Sequence, residues 1–244
     1  MIVLGNPIVP FFIIDENYML QPLGVRVTGD SREELLPSTR DSTEEVPGMH
    51  GEYDFGSEFK GRALELHIVT KDGMTVTEKK SVKRLFAKYL DPTKGYLSLQ
   101  FADEPDKIYM VKYSGKIDLT NHPTWLKFTI PFKMKEPFMV GTYEKTMVGA
   151  GMAINDGNFE TGLIFEIKGP AVNPQVSVGS KIFFYEGEVP AGQTLYVDTL
   201  NRTVRLNNVN AIDRHNDVFP LLYPGESNIF TSINTTIKWR DKWI

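Results

Sequence analysis

Ser38-Thr39-Arg40-Asp41-Ser42-Thr43-Glu44-Glu45-Val46-Pro47-Gly48-Met49-His50-Gly51-Glu52-Tyr53-Asp54-Phe55-Gly56, followed shortly by Arg62-Ala63-Leu64-Glu65-Leu66-His67-Ile68-Val69, changes character halfway. The first part is polar, acidic and punctuated by glycine. In the second, Leu64, Leu66 and Ile68 fall on one side and Glu65 and His67 on the other, the period of two that a half-buried strand requires. A long exposed arm therefore leads into a well-defined strand. The arm has little periodicity, and a loop of that length inside a domain usually serves an interaction. Its Glu- and Ser/Thr-rich composition permits disorder in the free chain, against which Tyr53, Phe55 and Phe59 argue for partial anchoring.

Charge is uneven around this point. Asp30 to Glu58 holds nine carboxylates against two arginines, a net of −7, whereas Lys60 to Lys94 holds nine basic residues against four carboxylates, a net of +5. Solvated loop and helix faces are the ordinary explanation. The functional alternative is that arm and basic element meet, within one subunit or across an interface, where opposite fields steer docking and fix register.

The basic element is a helix by pattern. Thr75-x-x-Glu78 has capping-box spacing, and Val82, Leu85, Phe86, Tyr89 and Leu90 follow at helical intervals. It should stop before Asp91-Pro92, since proline disfavours helical geometry in the residue preceding it. Its basic residues are expected on the outer face. Around it, Val25 to Thr28, Tyr96 to Phe101, Lys107 to Ser114 and Thr124 to Phe132 read as strands separated by turn chemistry. The apolar opening, Met1 to Ile14, reads as one or two strands rather than a signal segment, because it lacks a basic start and prolines interrupt it.

A chain of 244 residues fits two domains of about 100 to 140 residues each. Pro131-Phe132-Lys133-Met134-Lys135-Glu136-Pro137 marks the expected boundary, giving domains 1–135 and 136–244. Beyond it the pattern is purely β: Thr161 to Lys168, Lys181 to Tyr185, Thr194 to Asp198, Thr203 to Leu206, Asn228 to Ile233 and Thr235 to Trp239. Short strands linked by Gly169-Pro170, Pro190-Ala191-Gly192, Asn207-Asn208 and Pro224-Gly225 indicate a sandwich. The fold class is mainly β, with one helix.

The search for chemistry excludes more than it finds. Cysteine is absent, so there is no disulfide framework, thiolate metal site or cysteine nucleophile. His50, His67, His122 and His215 include no pair at metal-ligating spacing on a single element. No Gly-x-Ser-x-Gly elbow, Walker loop or dinucleotide fingerprint is present. The 31 acidic residues supply carboxylate pairs by abundance alone, which carries no information about glycoside hydrolysis. Asp198 is expected to end its strand in turn chemistry. Trp125, Trp239 and Trp243 fit core or interface packing better than sugar stacking. The basic helix lacks the aromatic platform that would favour nucleic acid. No catalytic, cofactor-binding or metal-binding residue is assigned.

Three ordered stretches carry a family resemblance. They are Val46-Pro47-Gly48-x-x-Gly51-x-Tyr53 leading to Arg62-x-Leu64-x-Leu66; Phe101-Ala102-Asp103-Glu104-Pro105-Asp106-Lys107-Ile108-Tyr109; and a C-terminal set. That set runs from Thr194-Leu195-Tyr196-Val197-Asp198 through Asn207-Asn208-Val209-Asn210 to Phe219-Pro220-Leu221-Leu222-Tyr223-Pro224-Gly225-Glu226-Ser227-Asn228-Ile229-Phe230, closing on Ile237-Lys238-Trp239-Arg240. Together they resemble the distal tail protein family of siphophages, over nearly the whole chain. Residues 141–158 depart from the pattern and leave the strand order there open.

The resemblance implies an N-terminal β-sandwich-like domain with a helix and an extended hairpin arm, and a C-terminal galectin-like β-sandwich. It implies a homo-oligomer, a hexameric ring closed through the arm, that joins the tail tube to the tip or baseplate of a phage or prophage virion. Its partners would be the tail tube protein, the tape-measure protein and a tail-tip, fibre or lysin protein. DNA would pass transiently through the bore, and no membrane, enzymatic activity or cofactor is implied. The protein would be made in the host cytoplasm. Expected subunit-interface residues are Glu44, Glu45, Val46, Tyr53, Phe55, Arg62, Lys83 and Arg84. The arm would face either a neighbour's basic helix or the channel. A carbohydrate-binding β-sandwich is the alternative, and a glycoside hydrolase a weaker one.

Overall fold

Leu64, Leu66, Ile68 and Thr70 are 4% exposed or less while the residues between them are not buried, so the strand over residues 63–70 has one face in a core. Each such aliphatic side chain contributes about 1.5–3 kcal/mol relative to an exposed position. The structure, a computed structural model, describes residues 12–14, 18–19, 24–30, 36–48, 50–101 and 103–244. Most of the apolar opening stretch, residues 31–35 of the acidic stretch, and Met49 and Ala102 lie outside the described residues. The chain divides into two compact units, residues 1–139 and 140–244.

The strands of the first unit are β1 (Phe12–Ile14), β2 (Tyr18–Met19), β3 (Val25–Asp30), β4 (Thr39–Glu44), β5 (Tyr53–Phe59) and β6 (Ala63–Thr70). The helix α1 (Val76–Tyr89) follows, then β7 (Leu97–Phe101), β8 (Lys107–Tyr113), β9 (Asp118–Asn121) and the long β10 (Leu126–Gly141). The main sheet runs β2-β1-β7-β8-β10-β6-β3, with β9 also paired to β10. Antiparallel pairing of β6 with β10 sets Leu66 opposite Ile130 and Ile68 opposite Phe128. The helix covers this sheet where Phe86 meets Phe128 edge-on, ring centroids 4.9 Å apart.

The helix begins where its capping residues lie. Thr75 Oγ1 accepts the Glu78 amide at 3.2 Å, and the Glu78 carboxylate accepts the Thr75 amide at 2.7 Å. The Thr75 amide, and after it the Thr75 hydroxyl at 2.9 Å, donate to the Glu78 carboxylate and hold it below its usual range. Thr75→Ala should lower stability by about 1 kcal/mol in urea titration at neutral pH. Because a carboxyl lowered in the folded state stabilises only above its unfolded titration point, that loss should shrink as the solution is acidified. Contrary to the expectation of an outer basic face, not all of the helix's basic residues lie outward. Lys79 is 8% exposed, one turn before Val82 on the apolar face. Its ammonium is satisfied there by Asn121 Oδ1 at 3.2 Å and the carbonyls of His122 and Pro123 at 2.8 and 3.0 Å, which tie the helix to the β9–β10 turn.

Proline does not end β10 at residues 131–137. The strand continues to Gly141, and the division into units falls inside it, a few residues past the expected boundary. Pro131 lacks a donor but keeps its acceptor, and its carbonyl takes the Ser114 amide at 3.0 Å.

In the second unit β11 (Lys145–Val148), β12 (Gly151–Asn155), β13 (Ile164–Lys168), β14 (Ala171–Val172), β15 (Gln175–Val178) and β16 (Lys181–Phe184) come first. They are followed by β17 (Glu188–Val189), β18 (Thr194–Asp198), β19 (Thr203–Leu206), β20 (Val209–Asn210), β21 (Gly225–Thr231), β22 (Thr235–Trp239) and β23 (Lys242–Trp243). One sheet is ordered β11-β22-β13-β18-β19-β20 and the other β12-β21-β15-β16. Phe165, Leu195, Val197 and Ile237 from the first and Ala153, Val176, Phe183 and Ile229 from the second are all fully buried between them, a sandwich core. The stretch left open by sequence, residues 141–158, crosses from one sheet to the other at Gly149-Ala150. There Gly149 takes φ +78° and its amide bonds the Thr235 carbonyl at 2.9 Å. Lys145 fastens this crossing through Asp156 and Asp241 at 2.7 and 2.6 Å. Burial works to lower its pKa, and the two carboxylates outweigh that and raise it. Among the described residues no helix is long and apolar enough to cross a membrane.

Candidate functional site

The acidic stretch is not an irregular loop. Its residues 39–44 and 53–59 pair as a two-stranded antiparallel hairpin, β4 with β5, that belongs to no larger sheet. All six residues of β4 and all seven of β5 are exposed. A two-stranded ribbon with no buried face is marginal by itself in water, so its pairing relies on local polar bonds and a contact at its base. Ser57 Oγ donates to Asp41 Oδ1 at 2.6 Å, the Gly56 amide donates to Asp54 Oδ1 at 2.8 Å, and Arg40 pairs with Glu58. That ion pair is exposed on both sides and contributes little. At the base, Phe59 packs edge-on against Phe138, with centroids 6.3 Å apart, and the Lys60 amide bonds the Ser38 carbonyl at 2.8 Å.

Periodicity hides how the hairpin presents its aromatics. Asp41 lies opposite Ser57 but Thr43 lies opposite Asp54, so β5 carries one extra residue, and Gly56 at φ +104° accommodates it. The bulge flips the faces. Phe59 shares the face of Thr39, whereas Tyr53 shares the face of Glu44, so one aromatic can anchor the base while another points away from that contact. Tyr53 is 53% and Phe55 66% exposed.

Of the residues expected at an interface, Glu44, Glu45, Val46, Tyr53 and Phe55 gather at the outer half of the hairpin, and all are exposed. Lys83 and Arg84 are exposed on α1. Arg62 differs: it is 5% exposed and so does not belong to this exposed set.

The remaining candidates are structural. Among the described residues no cluster of three or more His, Asp or Glu side chains could hold a metal ion. His122 stacks on Trp125 at 4.6 Å, and Trp239 is 7% exposed with its indole N–H on the Ile154 carbonyl at 3.1 Å, which removes it as a sugar platform. Asp198 accepts the Leu200 and Asn201 amides at 3.1 and 3.0 Å and thus closes a turn.

Comparison with known proteins adds identity to this geometry. The family described as phage tail protein RIFT-related domain matches residues 18–134, and the siphovirus-type tail component, C-terminal domain, matches residues 156–243. Comparison with curated protein sequences gives no match. Among solved structures, the distal tail protein Dit of phage SPP1, described as a paradigm of the hub adsorption apparatus in phages infecting Gram-positive hosts, superposes with a TM-score of 0.75. The two are 16% identical, over 96% of this chain and 99% of that one. A chain of the phage P2 baseplate in its activated, calcium-containing conformation gives a TM-score of 0.50 at 8% identity, over 95% of this chain and 97% of that one. Both tail families are present, in order, across the two units that the chain folds into, and the chain therefore belongs to the siphophage distal tail protein family.

Proposed function

We propose that this tail protein acts as the baseplate hub, closing a ring of identical copies, six in number, through its hairpin arm. The hairpin carries the reading: two strands with every residue exposed and a net acidic tip form an element that a single copy cannot bury. An arm reaching from one subunit onto the next is how a heterologous interface closes into a ring. The ring would join the end of the tail tube to the tip, with the tape-measure protein and then DNA passing through its bore. The galectin-like second unit would present a docking surface to a fibre or lysin protein of the tip. On this reading the protein resides in the virion tail after synthesis in the host cytoplasm, and its work is mechanical rather than catalytic.

Native mass spectrometry of the full chain should give a single closed species of six copies. A chain that stays monomeric over a wide concentration range, and also with tube and tip partners added, would count decisively against the ring.

A further inference from the structure

The helix α1 leaves one side of its last two turns uncovered. Phe86, Ala87 and Leu90 form one wall of a groove, and Tyr113, Ile117 and Leu119 form the other. Phe128 closes the floor against Phe86, and the cavity volume is about 530 Å³. Leu119 is 43% exposed although it borders an apolar trough. The rim is mostly basic: Lys83 and the single carboxylate of Asp91 both line the groove, and Lys80, Arg84 and Lys88 are exposed along the same helix.

The hairpin offers the complementary pattern. Tyr53 and Phe55 protrude from a strand flanked by Glu44, Glu45, Glu52 and Asp54, all of them exposed. Two aromatic side chains together have about 300–500 Å² to bury, and a trough of this size is within the range that accepts such groups. The chain's own hairpin does not fill its own groove, since Phe55 remains 66% exposed.

We propose that the groove between α1 and the β8–β9 edge is the seat for the hairpin of a second copy, Tyr53 and Phe55 entering it while Glu44, Glu45 and Glu52 meet Lys80, Lys83 and Arg84. This rests on the ring reading and makes it specific: the acidic tip lies on a neighbour's helix and not along the channel. The interface has the usual division of labour. Buried aromatics supply affinity, and surrounding charges select the register.

The natural chain has no cysteine, which permits a clean test. In the full chain, Phe55→Cys combined with Ala87→Cys and mild oxidation should give a ladder of covalent oligomers in denaturing gels, because a disulfide forms only when the two Cα atoms approach within about 7 Å. Phe55→Cys paired with a cysteine at Val209, exposed on the second unit, should give none. Ala87→Glu places a carboxylate in the trough at an exposed helix position, and Tyr53→Ser with Phe55→Ser removes the anchors. Each should weaken assembly about tenfold or more without changing the circular dichroism of the subunit. A ring that forms normally, yields no Phe55–Ala87 ladder and tolerates both variants overturns the groove assignment and leaves the ring standing. A fast-migrating, internally linked monomer overturns it in favour of the chain's own arm. A chain that never assembles, even with its tail partners, removes the ring and this seat together.

Discussion

Replacing residues 40–58 by Asn-Gly should convert the assembled protein to monomers while leaving both units folded. Thr39 lies directly opposite Phe59, so a two-residue link between them fits a tight hairpin turn, for which Asn-Gly is the favoured pair. The replacement keeps Phe59 on Phe138 and the Lys60 amide on the Ser38 carbonyl, the contacts that fasten the hairpin's base. Every described residue that it removes is exposed. Shortening an exposed connection changes the closure entropy only slowly with length, so subunit stability should change little. Assembly would lose every acidic and aromatic group of the outer hairpin at once. The expected outcome is an unchanged thermal transition for the subunit and a complete shift from ring to monomer in light scattering. A shortened chain that still forms rings would place subunit contact elsewhere, and the arm would lose its role.

The parts of this fold that were legible in sequence are those where one local rule decides. Alternation placed β6, and its Leu64, Leu66 and Ile68 are in the core. The Thr75–Glu78 spacing placed the start of α1, and Asp91-Pro92 its end, with Leu90 as the C-cap. Periodicity failed where the signal is non-local. The hairpin β4–β5 has no buried face, so it writes no apolar alternation, and its pairing is visible only through partners across the ribbon such as Asp41 and Ser57. Its bulge at Gly56 cannot be read from one strand alone. Lys79 looked like another surface cation because its three acceptors come from a turn more than forty residues away in sequence. Pro131 and Pro137 looked like the end of a strand because the sheet neighbours that tolerate a missing donor were unknown. At the candidate site the hairpin's charged and aromatic residues were nameable beforehand. The groove was not, because Ala87, Tyr113 and Leu119 meet only in three dimensions.

Phe165→Ala should be among the most damaging single substitutions in the second unit, and it should spare assembly. Phe165 is fully buried on β13, opposite Val197 on one side and Ile237 on the other, and its ring lies 6.0 Å from Phe183 of the facing sheet. It therefore touches both layers of the sandwich. Truncation removes the transfer free energy of the ring and leaves a cavity that the two hydrogen-bonded sheets cannot collapse to fill, a loss of about 3–5 kcal/mol. Against the roughly 5–15 kcal/mol that holds a domain of this size together, that is about a fifth or more of its stability. A urea titration followed by tryptophan fluorescence should show the transition that reports Trp239 moving to lower denaturant with its slope unchanged. Phe165→Leu, which retains most of the volume, should lose much less. Every hairpin and groove residue of the proposed interface lies within residues 1–139, so rings should persist in native mass spectra recorded below the onset of unfolding. Loss of rings by Phe165→Ala under those conditions would mean that the second unit takes part in closing them, and the division of labour between a ring-forming first unit and a docking second unit would have to be abandoned.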